Sequence, residues 1–227
     1  MRRTLVVVAL LASLLVASTA CSRAISGTAQ PDPNKPPVEI VEDGFGIKVG
    51  FPDAPVQLEI YTEPQCNHCA DLQADFGDQI RGYLNTGQLT VIYRPMTFLD
   101  SPTNLHSERV ANAMFAAATP AGDASTDAIA FQRFVEEVWK HYDAGADHPS
   151  DGELADMARQ AGVPEGPASA IESGEPAVDV TEMQDTNFGL LYFASPVDTG
   201  TPTILDLNSG DLLDVYDDDW LSKVIAS

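Results

Sequence analysis

The stretch from Gln57 to Cys69 constrains the fold more than any other part of the sequence. Apolar and polar side chains alternate from Val56 to Thr62, which predicts a β-strand. The chain then reads Cys66-Asn67-His68-Cys69 and continues into an apolar stripe with helical spacing. A Cys-x-x-Cys pair between a strand and the start of a helix is the redox form of this motif. The rest of the chain is therefore expected to build a fold that holds this pair.

The sequence around this stretch predicts a mixed α/β domain. A short strand is expected over 45–49, a helix after Cys66 that ends near Gly87, and a strand over 88–94. From Asn104 the chain becomes rich in alanine and carries several helical patterns, including a capping box at Ser150. Two strands, 201–207 and 211–216, are expected to form a hairpin with a positive φ at Gly210, followed by a final helix.

The charge and the cysteine count narrow the function classes. Acidic residues outnumber basic ones by 34 to 12, giving a formal net charge of −22, and this surface argues against nucleic acid as a partner. Of the three cysteines, Cys21 lies in a leader, so Cys66 and Cys69 are the only pair left for the folded domain. A disulfide that closes so short a loop adds little stability, which makes a purely structural role a poor explanation.

The N-terminus has the layout of a secretory signal. Arg2 and Arg3 precede an apolar run that is too short to cross a membrane comfortably, and small residues then lead to Cys21. This layout resembles the lipobox of bacterial lipoproteins, which implies lipidation (palmitate) of Cys21 and attachment to the cell membrane. Plain secretion is the alternative. Both place the mature protein outside the cytoplasm, where disulfides persist.

The predicted domain organisation follows from these segments. Residues 1–21 are the signal peptide, residues 22–40 are a flexible proline-rich linker, and residues 41–227 are the folded domain. Within that domain, a helical insertion is expected over about 103–193, because strand patterns resume after it.

Taken together, residues 45–226 resemble the thioredoxin fold in its DsbA-like form, of the actinobacterial extracytoplasmic lipoprotein type. The resemblance rests on Asp53-Ala54-Pro55-Val56, on Cys66-Asn67-His68-Cys69, on Leu99-Asp100-Ser101 at the start of the insertion, and on Gly200-Thr201-Pro202-Thr203. It implies a thiol–disulfide oxidoreductase in which Pro202 is cis and faces the cysteine pair. It also implies that the backbone of Thr201 hydrogen-bonds a bound peptide.

The candidate catalytic residues are Cys66, Cys69 and His68. At a helix N-terminus the thiolate of Cys66 is stabilised by free N–H groups, and His68 is expected to help if its ring is cationic or donates to sulfur. The expected partners are thiols or disulfides of exported proteins, a membrane redox partner and the membrane itself through a lipid anchor. No cofactor and no metal is expected, and the direction of exchange stays open.

Relatives of this fold bury an acid six residues before the first cysteine, but that position is Ile60 here. Glu59 and Glu63 lie nearby, and Glu59 is the candidate replacement, although a shift of one residue turns its side chain to the other face of the strand. The alternative function is a non-catalytic module that docks partners, or that handles copper(I) through Cys66, His68 and Cys69. Of the remaining histidines, His106 is expected at a helix start or in packing, and His141 and His148 in solvent.

Overall fold

The computed structural model describes residues 35–142 and 148–227. The predicted signal, Cys21 and most of the linker lie outside these residues. The described chain forms a five-stranded sheet in the order β1-β2-β4-β3-β5. Only β3 and β4 are parallel to each other, and the other neighbours are antiparallel. The strands are β1 (Val38–Ile40), β2 (Ile47–Val49), β3 (Val56–Thr62), β4 (Leu89–Pro95) and β5 (Thr203–Asp206).

Seven helices surround this sheet in the described part of the chain. One connects the parallel strands, five lie between β4 and β5, and one ends the chain. They are α1 (Asn67–Asn85), α2 (His106–Ala118), α3 (Ala128–Lys140), α4 (Asp151–Ala161), α5 (Glu165–Ser173), α6 (Val180–Ala194) and α7 (Trp220–Ala226). The segment between β4 and β5, which carries the five helices α2 to α6, is called the insertion below. This architecture confirms the predicted α/β thioredoxin fold with a DsbA-like helical insertion.

Helix α1 is the crossover that places the cysteine pair. Its predicted apolar stripe is buried throughout, at Leu72, Phe76, Ile80 and Leu84. After Asn85 the chain reverses at Gly87, whose φ of +70° favours glycine and lets the chain enter β4. The apolar stripe therefore fixes both the position of α1 on the sheet and the direction in which its N-terminus points.

Helix α3 of the insertion packs directly on α1. Phe131 and Phe134 of α3 are fully buried, as the sequence predicts. A buried polar connection accompanies this apolar contact: Gln132 donates to Gln73 of α1 at 3.0 Å and accepts a hydrogen bond from Tyr93 of β4. Because each of these buried polar groups has a partner, the contact specifies one arrangement of the insertion on the core.

Two boundaries differ from the sequence predictions. The linker prediction to residue 40 is wrong at its end, because residues 38–40 pair with β2 as strand β1. The second hairpin strand, 211–216, is reduced to a single bridge between Leu205 and Leu212. Beyond that bridge the chain turns toward α7, with Asp217 N–H bonded to Asp214, which ends the ladder. Gly210 does adopt the expected positive φ, +80°.

None of the helices in the described ranges is both long enough and apolar enough to cross a membrane.

Candidate active site

Cys66 occupies the N-cap position of α1, and Cys69 lies in its first turn. The backbone of Cys66 is extended, with φ −88° and ψ 117°, so the helix begins directly after it. Its carbonyl accepts hydrogen bonds from the N–H groups of Cys69 and Ala70, each at 3.1 Å. Both cysteines are free thiols, Cys66 partly exposed and Cys69 fully buried. The pair thus presents one accessible sulfur and one sheltered sulfur.

The surroundings of Cys66 favour its thiolate. A hydrogen bond with the Cys69 side chain is the largest cause that lowers the pKa of Cys66 to about 5, with smaller contributions from the Thr201 side chain and from the N–H groups of Cys69 and His68. Partial burial opposes this shift. These two N–H groups lie in the first turn of α1, and that of Cys69 also donates to the Cys66 carbonyl.

The pKa of Cys69 is shifted in the opposite direction. Burial raises its pKa well above the usual value, and the neighbouring Cys66 raises it further. The backbone N–H of Glu63 approaches its sulfur at 3.5 Å. Since the two thiols have pKa values shifted in opposite directions, Cys66 carries the negative charge and Cys69 carries the proton.

The loop before β5 forms the wall opposite the pair. The peptide bond between Thr201 and Pro202 is cis, as the resemblance implies. The carbonyl oxygen of Thr201 lies 3.2 Å from Cys66 Sγ, across 135 residues of chain, and it accepts a hydrogen bond from this sulfur only while the thiol is protonated. Thr203 follows as the first residue of β5, which pairs with β3, so the same sheet carries both walls of the site.

The side chain of His68 lies at the surface of the protein. Its side chain is 61% exposed and lies 3.7 Å from Asp71, and its ring meets the edge of Tyr216 at a centroid distance of 6.0 Å. The backbone N–H of His68 is one of the groups that lower the pKa of Cys66. The imidazole is therefore part of the outer surface beside Cys66.

Glu59 is not free to serve the cysteine pair, and its choice as the replacement acid is wrong. Arg94 donates to one carboxylate oxygen at 2.7 Å, and Tyr61 donates to the other at 2.6 Å. The carboxylate of Glu59 in β3 is committed to a buried ion pair with the Arg94 guanidinium on the neighbouring β4, and neither of these two contacts reaches the cysteine pair.

Glu63 is the acid that the fold brings to the site. It is fully buried, directly after β3, and burial raises its pKa to about 7. Two hydrogen bonds oppose that rise, one from the Ser107 hydroxyl and one from the N–H of Gln65 at 2.6 Å. The sequence shows Glu63 three residues before Cys66, but only the position of α2, which provides Ser107, reveals its environment.

The histidines of the insertion form a stacked pair near the site. His106 begins α2 and is 2% exposed, as predicted for a packing residue. The expectation that His148 faces solvent is wrong, because its ring stacks on His106 at 4.2 Å and its Nε2 lies 3.0 Å from the Asn104 amide. Among residues 35–142 and 148–227, no three His, Cys, Asp or Glu side chains are grouped as a metal site.

Comparison with known sequences assigns the chain to a family. A family model described as thioredoxin matches residues 42–184. The chain is also similar to the serine/threonine-protein kinase PknE of Mycobacterium tuberculosis, with 27% identity over 185 residues, which are 80% of this chain and 31% of that kinase. The chain therefore spans about a third of the length of this curated relative.

Comparison with solved structures gives the same fold. The MdbA thiol-disulfide oxidoreductase from Corynebacterium matruchotii matches with a TM-score of 0.68 and 19% identity over 83% of this chain and 92% of that one. Reduced DsbA from Mycobacterium tuberculosis matches with a TM-score of 0.58 and 22% identity over 81% and 98%. BdbD from Bacillus subtilis matches with a TM-score of 0.60 and 17% identity over 85% and 97%.

Proposed function

The chain belongs to the thioredoxin family, and from that premise we propose that its cysteine pair exchanges disulfides with other proteins. The observation that carries this proposal is the asymmetry of the pair. Cys66 is accessible and its pKa is lowered to about 5, whereas Cys69 is buried and its pKa is raised. A thiol of low pKa is a good leaving group, so a disulfide held by Cys66 passes readily to another protein.

In the oxidising direction, a substrate thiolate attacks Cys66 Sγ of the disulfide form. A bond forms between the substrate sulfur and Cys66, the bond between Cys66 and Cys69 breaks, and Cys69 leaves with the electron pair. A second substrate thiolate then attacks the first substrate sulfur and releases Cys66 as a thiolate. Two electrons have passed from the substrate dithiol to the cysteine pair. In the reducing direction, the Cys66 thiolate attacks a substrate disulfide, and one substrate sulfur leaves as a thiolate. Cys69 then attacks Cys66 Sγ of the mixed disulfide, which closes the pair and releases the second substrate sulfur as a thiolate.

Glu63 is proposed to exchange the proton that Cys69 gains or loses. When Cys69 leaves as a thiolate, its buried position favours rapid protonation, because a charge there is poorly solvated. Glu63 is buried beside it, and its pKa of about 7 lets it hold or release a proton at neutral pH. The N–H of Glu63 at 3.5 Å from the Cys69 sulfur keeps the two residues together.

The substrate is proposed to bind along the cis-proline loop. The carbonyl of Thr201 already lies 3.2 Å from the Cys66 sulfur, and it faces the place where a substrate backbone would run during attack. The signal-like leader and Cys21 support an extracytoplasmic, lipid-anchored enzyme that acts on exported proteins. A membrane redox partner would then recycle the pair. The extracytoplasmic location favours oxidation as the working direction.

Two assays test this proposal. The protein is expected to reduce insulin disulfides with a thiol reductant, and its disulfide form is expected to oxidise a reduced, unfolded protein during refolding. Cys66→Ser should abolish both activities while its circular dichroism spectrum and a cooperative unfolding transition show that it is folded. A folded wild-type protein that is inactive in both assays would exclude the proposal and favour a docking module without catalysis.

A further inference from the structure

The side chain of Gln65, the residue before Cys66, is held entirely by the start of the insertion. Its Nε2 donates to Asp100 at 2.8 Å and to the Ser107 hydroxyl at 3.0 Å. Its Oε1 accepts from the amide of Asn104 at 2.6 Å. These three partners lie 35 to 42 residues further along the chain. Both ends of one amide are therefore anchored on a different structural unit from the one that carries the cysteines.

The backbone of Gln65 is anchored as well. Its N–H donates to a carboxylate oxygen of Glu63 at 2.6 Å, and its carbonyl accepts from the Tyr142 hydroxyl at 2.6 Å. The turn is closed by Cys66 N–H bonded to the Glu63 carbonyl at 3.0 Å. Each polar group of Gln65 thus has a partner, and Tyr142, which follows α3, holds it from a second part of the insertion.

This arrangement controls where the reactive sulfur lies. Cys66 is the N-cap of α1: its carbonyl accepts the first helical hydrogen bonds, whereas its N–H and its extended backbone belong to the turn that precedes the helix. The position of that turn therefore contributes to where its sulfur lies. The N–H groups of the first turn and the Thr201 loop act on the sulfur only in that orientation. A turn that moves by a fraction of an ångström weakens hydrogen bonds whose strength depends steeply on geometry.

We propose that Gln65 is a positioning residue through which the helical insertion fixes Cys66 at the N-terminus of α1 and against the Thr201 loop. The inference deepens the disulfide exchange proposed for this site and rests on that function. Gln65 does not touch the reacting atoms, so it acts through the turn. The insertion then has a role in the chemistry beyond covering the core.

The experiment is the pH profile of Cys66 alkylation in the reduced full-length protein, with the modified residue identified by mass spectrometry. Gln65→Ala is expected to raise the midpoint of the alkylation profile by about one pH unit. At pH values below the midpoint, this shift corresponds to about tenfold less Cys66 thiolate. Gln65→Met keeps the length of the side chain without its hydrogen bonds and should give the same shift. It replaces the alanine variant in the experiment if that variant folds poorly. Gln79→Ala, an exposed glutamine of α1, is the matched control and should leave the midpoint unchanged.

A double-mutant cycle identifies the insertion as the source of the effect. Asn104→Ala should shift the midpoint in the same direction, and the Gln65→Ala/Asn104→Ala protein should shift no further than Gln65→Ala alone. Unchanged midpoints in Gln65→Ala and Gln65→Met, with lowered unfolding stability, would overturn the proposal in favour of a purely structural turn. Fully additive shifts would also overturn it. Because alkylation needs no protein substrate, these outcomes are independent of whether the wild type exchanges disulfides.

Discussion

The low pKa of Cys66 predicts that the reduced protein becomes more stable, relative to the disulfide form, as the pH rises from 5 to 7. The thiol titrates at about 5 in the folded reduced protein, compared with the ordinary value of 9.0. A depressed pKa contributes stability that is fully present above the unfolded value and is lost as the pH falls through the folded value. The disulfide form has no thiolate, so it lacks this contribution at every pH.

The magnitude follows from the distance between pH and pKa. At about pH 7 the thiolate stabilises the folded reduced protein by about 2.7 kcal/mol, and at about pH 5 by only about 0.4 kcal/mol. Cys66 is partly exposed, so solvent screening makes the difference of about 2 kcal/mol an upper value. The full value corresponds to a reduction potential about 60 mV more oxidising at neutral pH.

Urea unfolding of the reduced and oxidised proteins at these two pH values measures the effect, with fluorescence of the buried Trp139 and Trp220 as the signal. The loop-closure contribution of the disulfide is independent of pH, so it cancels when the two pH values are compared. Reduced Cys66→Ser is the control, and it should lose the rise in stability relative to the reduced wild type. A stability gap that is the same at both pH values would refute the reasoning.

Three further predictions follow from buried groups. Arg94→Met leaves the carboxylate of Glu59 buried without its cationic partner and should lower the free energy of unfolding by about 3–5 kcal/mol. Adding Glu59→Leu to this variant should restore most of the lost stability, and urea unfolding measures both effects. The raised pKa of Glu63 means that the stability contributed by this residue is lost as the pH rises above 4.5 through about 7. Glu63→Gln should therefore stabilise the protein by about 1–3 kcal/mol at about pH 8, measured by thermal unfolding. The same variant should slow the attack of Cys69 on a mixed disulfide, measured by stopped flow. The lowered pKa of His106, about 4, makes stability fall as the pH drops from 6.5 toward 4, by at most about 3 kcal/mol, and His106→Phe should flatten this dependence in urea titrations.

The parts of the fold that could be predicted are those encoded by local periodicity. The alternation in β3 and the apolar stripe of α1 each specify an element, and together they place Cys66 between a strand and a helix. The hairpin prediction was wrong in its second strand because alternation over 211–216 says nothing of where the chain must turn toward α7. In this segment the chain turns toward the start of α7 instead of continuing to pair with β5.

The environment of the site could be predicted only in part, because it is built from residues far apart in sequence. Glu63 is visible near the motif, but its hydrogen bond from Ser107 spans 44 residues. Glu59, the candidate from the sequence, pairs with Arg94 of the neighbouring strand. The direction of the His68 ring depends on Tyr216, 148 residues away. Such contacts follow from the pairing of strands and from the packing of the insertion and the C-terminal segment, which single-sequence patterns do not encode.

Trapping of the mixed disulfide tests the central claim, that Cys66 is the sulfur exchanged with other proteins. Cys69→Ala removes the thiol that would release the adduct. This variant should therefore accumulate a disulfide between Cys66 and an unfolded polypeptide whose cysteine is supplied as a mixed disulfide with a small aromatic thiol: the Cys66 thiolate attacks the polypeptide sulfur, and the aromatic thiolate leaves. Peptide mapping by mass spectrometry identifies the bonded residue, and Cys66→Ala, which keeps the buried Cys69 as the cysteine of the described domain, is the control. The account predicts an adduct through Cys66 and almost none through Cys69. Equal or preferential trapping at Cys69 would contradict it.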